Sequence, residues 1–175
     1  MRFLLKPLSF IPALVLMYLI FGFSADEGVD SAALSYKVSH KIVEVVDVVG
    51  EFEWTNAQID AYTERIHGKV RKLAHMTEYA ALAVAVSLPL YVYGMHGLLL
   101  TIVAGGFCVV FAFGDEYHQL FVAGRSGSLR DVAIDGIGIL AGIIAVRIVG
   151  FIGRMTVFRK PKQRKYKKIS SNRYS

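Results

Sequence analysis

The sequence predicts an all-α, polytopic membrane helical bundle with four transmembrane helices and two amphipathic extracytoplasmic helices. Three observations carry this. Hydrophobic residues make up 54% of the 175 residues and charged residues only 19%, below the roughly 25% charge of soluble domains. Four apolar stretches, at about 3–23, 73–93, 97–114 and 132–152, are near the length that crosses a hydrocarbon core. Between the first two lies a polar segment, 24–72, with helical spacing of its apolar residues. The length leaves room for one membrane domain, 1–153, and a basic tail, 154–175.

The first span comes after Arg2 and Lys6, with Pro7 and Pro12 near its start. A cleaved signal peptide is the alternative, with Gly22-Phe23-Ser24 or Phe23-Ser24-Ala25 before the cut. Bulky Phe23 at the −3 position argues against it, and segment 24–72 is outside on either reading. That segment carries nine acids and six bases. Its first helix has Asp30 or Ser31 as cap and Leu34, Val38, Ile42, Val45 and Val49 as an apolar stripe. Gly50 to Trp54 breaks it, and Trp54 suits a membrane interface. A second helix opens on Thr55-Asn56-Ala57-Gln58, a capping box, and continues through Ile59, Tyr62 and Ile66. Both helices are read as a lid on the membrane or bundle, with His40 and His67 solvated.

The second span begins with Arg71, Lys72, His75, Glu78 and Tyr79 and is broken late by Pro89. His75, Glu78 and Tyr79 share one helical face, with Lys72 a turn earlier. A turn at 94–97, with His96 toward solvent, leads to the third span, whose helix can run on through 115–121. Residues 124–128, Gly-Arg-Ser-Gly-Ser, form a loop, and Ser128 caps the fourth span with Asp131 in its first turn. Asp131, Asp135, Gly138 and Gly142 form a stripe on which a neighbouring helix can approach closely. Arg147 snorkels at the far end.

The net charge of +6 is unevenly placed: every acid lies between Asp26 and Asp135, and nine Lys and Arg are found from Arg154 onward. A basic tail beside a transmembrane helix points to an anionic cytoplasmic leaflet, and no nucleic-acid signature accompanies it. Both termini are therefore expected in the cytoplasm of a multi-pass cell-membrane protein. The single cysteine, Cys108, sits in an apolar run and permits no internal disulfide.

Stretch 115–135 holds four carboxylates, an imidazole, an amide and two guanidiniums between hydrocarbon-length segments. Ionisable groups there cost on the order of 2.5–3.5 kcal/mol each at a helix centre, so they face protein or water and mark function. The topology brings the start of span two, the end of span three and the start of span four to one face. Three readings are open. Glu78, Asp115, Glu116, Asp131 and Asp135 can pair structurally with Arg71, Lys72, Arg125 and Arg130. They can line a binding or catalytic pocket, with His118 or His75 as proton shuttle and Arg125 as a fork for phosphate or carboxylate. A metal site could draw on His75, Glu78, Glu116 and His118, but their spacing matches no metal motif. No nucleophile is signalled at Ser126 or Ser128, and neither metal nor cofactor is expected.

At these residues the chain resembles the VanZ-like family of small bacterial membrane proteins. The resemblance rests on Ala74, His75, Glu78 and Tyr79 within R-K-L-A-H-M-T-E-Y at 71–79. It rests equally on Asp115, Glu116, His118, Gln119, Phe121, Gly124, Arg125 and Asp131 within 114–138. It implies a cell-envelope membrane protein, associated through the family name with teicoplanin-type glycopeptide resistance, and no agreed reaction. The combined expectation is an outward pocket that binds or modifies an envelope component. Asp115, Glu116 and His118 are the candidate catalytic groups. His75, Glu78, Tyr79, Gln119, Arg125, Asp131, Asp135 and Lys72 are the candidate binding groups. Arg125 would hold an anion, Glu116 or Asp115 would handle a proton relayed by His118, and Asp131 and Asp135 would orient Arg125. Expected partners are membrane lipids and a cell-wall precursor or glycopeptide, without nucleic acid, and a homo-oligomer is open. The rival is a non-enzymatic scaffold or accessory subunit with a structural polar cluster.

Overall fold

The structure is a computed structural model describing residues 7–156, with side chains to 153; the expected basic tail from residue 157 on, and Arg2 and Lys6, lie outside the described residues. A short 3-10 turn, Pro7–Phe10, leads into α1 (Ile11–Ala25), followed by α2 (Gly28–Gly50), α3 (Asn56–Val92), α4 (Gly97–Gln119) and α5 (Leu129–Thr156). Four of these helical stretches are long and apolar enough to cross a membrane: Pro7–Ala25, Asn56–Val92, Gly97–Gln119 and Leu129–Gly153. The chain is thus an all-helical, multi-pass membrane protein by the length and composition of its helices.

The most consequential difference from the sequence reading lies in α3. The expected second amphipathic helix and the second span are one continuous helix of 37 residues. Between Ile66 and His75 only Gly68 disfavours helix, and a lone glycine costs about 1 kcal/mol, too little to end it. Pro89 does not break it either; the helix runs on to Val92. At 1.5 Å per residue α3 is about 55 Å long, against a hydrocarbon core of about 30 Å. Its N-terminal half therefore stands clear of the spanning part, and α2 packs antiparallel along it as a hairpin.

The hairpin tip is closed by the reciprocal Thr55–Gln58 capping box, where the Gln58 side chain accepts from the Thr55 N–H at 2.9 Å. Phe52 stacks on Trp54 (4.9 Å between centroids), and Trp54 packs on Tyr62 (4.5 Å). Trp54 thus packs within the hairpin tip. The helix α2 begins at Gly28, before the expected Asp30 or Ser31 cap. The Gly28 N–H donates to Ala123 O at 3.0 Å, and a Cβ at this position would run into the Gly124 carbonyl. Along α2 the face toward α3 is small and polar, with Ser39 and Val43 buried. The Leu34, Val38, Ile42, Val45 and Val49 stripe points outward instead, every member exposed. His40 lies 3.6 Å from Asp60 and 3.4 Å from Glu44, so it links the two arms. A hydrogen bond from Lys41 holds the exposed Glu44 carboxyl below its ordinary value.

Helix α3 is central and packs on α1, α2, α4 and α5, most extensively on α5. Glycines make that approach possible: a Cβ at Gly138 would collide with the Met76 carbonyl, and one at Gly142 with the Ala80 carbonyl. Buried stripes meet in the middle: Tyr79, Leu82, Ala83 and Val86 of α3, Ala104, Cys108 and Ala112 of α4, and Ile139 and Ile143 of α5. Outward residues such as Leu14, Tyr18, Ile102, Val110 and Ile148 are exposed, as lipid-facing positions must be.

Candidate functional site

Each buried stripe continues into an ionisable residue at the same end of the bundle. On α4, Ala104, Cys108 and Ala112 lead at helical spacing to Asp115 and Gln119, which are 2% and 4% exposed. On α5, Ile143 and Ile139 lead back to Asp135, also 2% exposed, and then to Asp131. On α3, Tyr79 leads back to His75, Lys72 and Arg71. Helix packing that buries the apolar stripes therefore forces these groups to converge.

They divide into a sealed network and an open cavity. In the network, Asp115 Oδ2 accepts from Ser24 Oγ at 2.7 Å, from Tyr79 OH at 3.2 Å and from Gln119 Nε2 at 3.2 Å. Gln119 Nε2 also donates to Ser24 Oγ at 3.2 Å. Three helices, α1, α3 and α4, are tied through one carboxylate oxygen. Asp115 Oδ1 is buried without a partner.

The cavity beside it, about 260 Å³, is lined from α3 by Gly68, Arg71, Lys72 and His75, and from α4 by Glu116 and Gln119. The 120–128 loop supplies Gly124, Arg125 and Ser126, and α5 supplies Asp131, Ile134 and Asp135. Glu116 Oε2 accepts from the Ser128 N–H at 2.8 Å, near the positive end of α5. Ser128 caps that helix by accepting from the Arg130 N–H at 3.1 Å. Lys72 and Asp131, both in this lining, are 3.8 Å apart.

Arg125 is held from behind. Its Nη2 donates to Phe23 O at 2.7 Å and its Nε to Asp26 O at 3.0 Å, both carbonyls at the C-terminal end of α1. A guanidinium there satisfies carbonyls that the helix leaves orphaned. Its third nitrogen, Nη1, is buried without a partner. Burial and the neighbouring Arg71 push this guanidinium below its ordinary value, while Asp115, Asp26 and Glu116 pull it back. Asp131 and Asp135 do not hydrogen-bond Arg125 among the described residues; backbone oxygens orient it instead.

The remaining sequence-selected residues lie elsewhere. His118 stacks on Phe21 of α1 at 4.2 Å, its Nδ1 buried and unpartnered, and it does not line the cavity. Glu78 lies 3.8 Å from His75 Nδ1 and is also absent from the lining. Of Asp115, Glu116 and His118, Glu116 alone faces the cavity. Among the described residues no three His, Cys, Asp or Glu side chains are grouped as a metal centre requires. Sequence reasoning passed over Ser24, which ends an apolar run and gives no periodic signal. It noted Arg71 only as a counter-charge, although Arg71 lines the cavity.

No curated protein and no solved structure matches this chain. A family model described as VanZ/LLP1 matches residues 9–150, which takes in every helix that builds the network and the cavity. Most of the chain, including both charged motifs in their order, is covered by that match, and the protein belongs to the VanZ/LLP1 family.

Proposed function

We propose that this protein is a VanZ-like cell-envelope membrane protein whose cavity binds an anionic group of an envelope component, a lipid head group or a wall precursor, at the outer membrane face. Binding of this kind would contribute to glycopeptide tolerance. The observation that carries the reading is the meeting of Arg71, Lys72 and Arg125 at one cavity, with Arg125 fixed by two α1 carbonyls. A guanidinium pinned by two backbone carbonyls costs little further ordering when it meets an anion. The outer-face placement is supported by the basic residues that flank the spans from the other side, Arg2, Lys6 and the tail after Arg154. Both termini are then cytoplasmic.

Binding is favoured over proton-transfer catalysis. Asp115 is enclosed by three donors and His118 is packed on Phe21, so neither reaches the cavity as placed. Glu116 remains as the one carboxylate of the trio able to meet a ligand. A second reading, a structural cluster in an accessory subunit, draws on the same Asp115 network and on the α1 contacts of Arg125.

Arg71 separates the two, because it lines the cavity and makes no side-chain hydrogen bond or ion pair among the described residues. In a host whose teicoplanin tolerance depends on this protein, Arg71→Gln should insert at wild-type level and lose most of that tolerance. Full tolerance in Arg71→Gln and in Glu116→Gln, with normal insertion, would establish the structural reading.

A further inference from the structure

The charges of the cavity are sorted by wall. Arg71 and Lys72 on α3 and Arg125 on the loop form a cationic side. Glu116 on α4 with Asp131 and Asp135 on α5 form an anionic side. Such groups would ordinarily neutralise one another. Among the described residues only Lys72 and Asp131 of this lining come within ion-pairing distance, at 3.8 Å, with both side chains well exposed. Arg71 and Asp135 make no ion pair among the described residues, and the loop guanidinium spends its bonds on α1 backbone. The buried Asp135 and the Arg71 guanidinium thus line one cavity of about 260 Å³ without satisfying each other. Unsatisfied buried charge is costly, so the space between the walls fits a molecule that supplies both complements. The volume is just under the range of about 300–1,000 Å³ usual for small-molecule sites, which suits a head group and not a whole lipid.

We infer that the cavity takes a zwitterion, an anionic group and a primary ammonium a few bonds apart, with the anion at the α3 and loop wall and the ammonium at Asp131 and Asp135. The inference rests on the head-group reading above and narrows it. A phosphoethanolamine head group and the zwitterionic end of an amino acid share this chemistry. An anion alone would leave the carboxylate wall unanswered, and a quaternary ammonium could not donate hydrogen bonds to it.

The test is calorimetric titration of the full-length protein in detergent micelles with four probes: O-phosphoethanolamine, alanine, inorganic phosphate and phosphocholine. Phosphoethanolamine or alanine should bind at least about 10-fold more tightly than phosphate and phosphocholine, the difference expected of charge-assisted hydrogen bonds. Which of the two binds better identifies the source, lipid or wall peptide. Asp135→Asn should reduce the better zwitterion to the affinity of phosphate without weakening phosphate, and Asp131→Asn provides the same readout should the buried variant fail to fold. Arg71→Gln should weaken all four probes. Phosphate bound as tightly as either zwitterion, alone or with magnesium, would overturn the inference and leave the anion site standing. No binding of any probe would remove the anion site as well.

Discussion

The α3–α5 contact makes a prediction whose size can be worked from the backbone. Gly138→Ala places a methyl against Met76, with the carbonyl carbon at 2.9 Å and Cα at 3.2 Å, where ordinary contact begins at 3.4 Å. These are backbone atoms, so no rotamer change relieves them, and the carbonyl oxygen is closer still. The two helices must separate, and overpacking of this kind costs about 1–3 kcal/mol. Removing a helix-interior glycine returns up to about 1 kcal/mol. The clash wins, with a net loss of about 1–2 kcal/mol. Gly136, two residues earlier in the same helix, would have nothing within 4 Å of an added Cβ. There Ala should be neutral or stabilising by up to about 1 kcal/mol. Reversible unfolding in mixed micelles, read as the denaturing detergent fraction at the midpoint, compares the two directly. Gly138→Ala equal in stability to Gly136→Ala would refute close glycine-mediated packing.

The same geometry sets further outcomes. Ser24→Ala removes the 2.7 Å donor to Asp115 and an acceptor of Gln119, and should cost about 1–3 kcal/mol in the same assay; no change would mean the network carries no stability. Arg125→Lys keeps the charge but loses the planar fork that meets Phe23 O and Asp26 O from two separate nitrogens, so limited proteolysis should begin to cut between residues 23 and 28. Val38→Ser and Ile42→Ser on the outward face of α2 should stay within about 0.5 kcal/mol of wild type. Val43→Ser, at a buried position, should cost more, and the reverse order would mean α2 is rotated. The Glu44 carboxyl lies below its ordinary 4.5 when folded, so its contribution is present above that pH and fades as pH falls through the lower folded value. Circular dichroism between pH 6 and 8 should therefore show no loss of hairpin helix from this group.

Much of this was readable from residue order, for identifiable reasons. Hydrophobic runs located the spans because lipid demands unbroken apolar length. The capping box at Thr55, the cap at Ser128 and the glycine stripe on α5 are local devices, and local devices are visible in sequence. The α3 fusion was not visible, because polar residues 56–72 and apolar residues 73–92 change environment without a change of backbone conformation. The outward turn of the α2 stripe was hidden because periodicity gives a face, not its direction. The split of the charged cluster into network and cavity depends on helix rotation of a few tens of degrees, which places Asp115 inward and His118 against Phe21. Spacing alone puts both on one helical surface.

The central claim is that the cavity opens on the outer side of the membrane, at the end of the bundle where α1 and α4 finish and α5 begins. Single cysteines in a Cys108→Ala background, probed with a membrane-impermeant maleimide on intact cells, test it most directly. Ser126→Cys, in the exposed loop beside Arg125, should label in intact cells, and His96→Cys at the opposite end should label only after permeabilisation. The opposite pattern, position 96 labelled outside and position 126 protected, would contradict it.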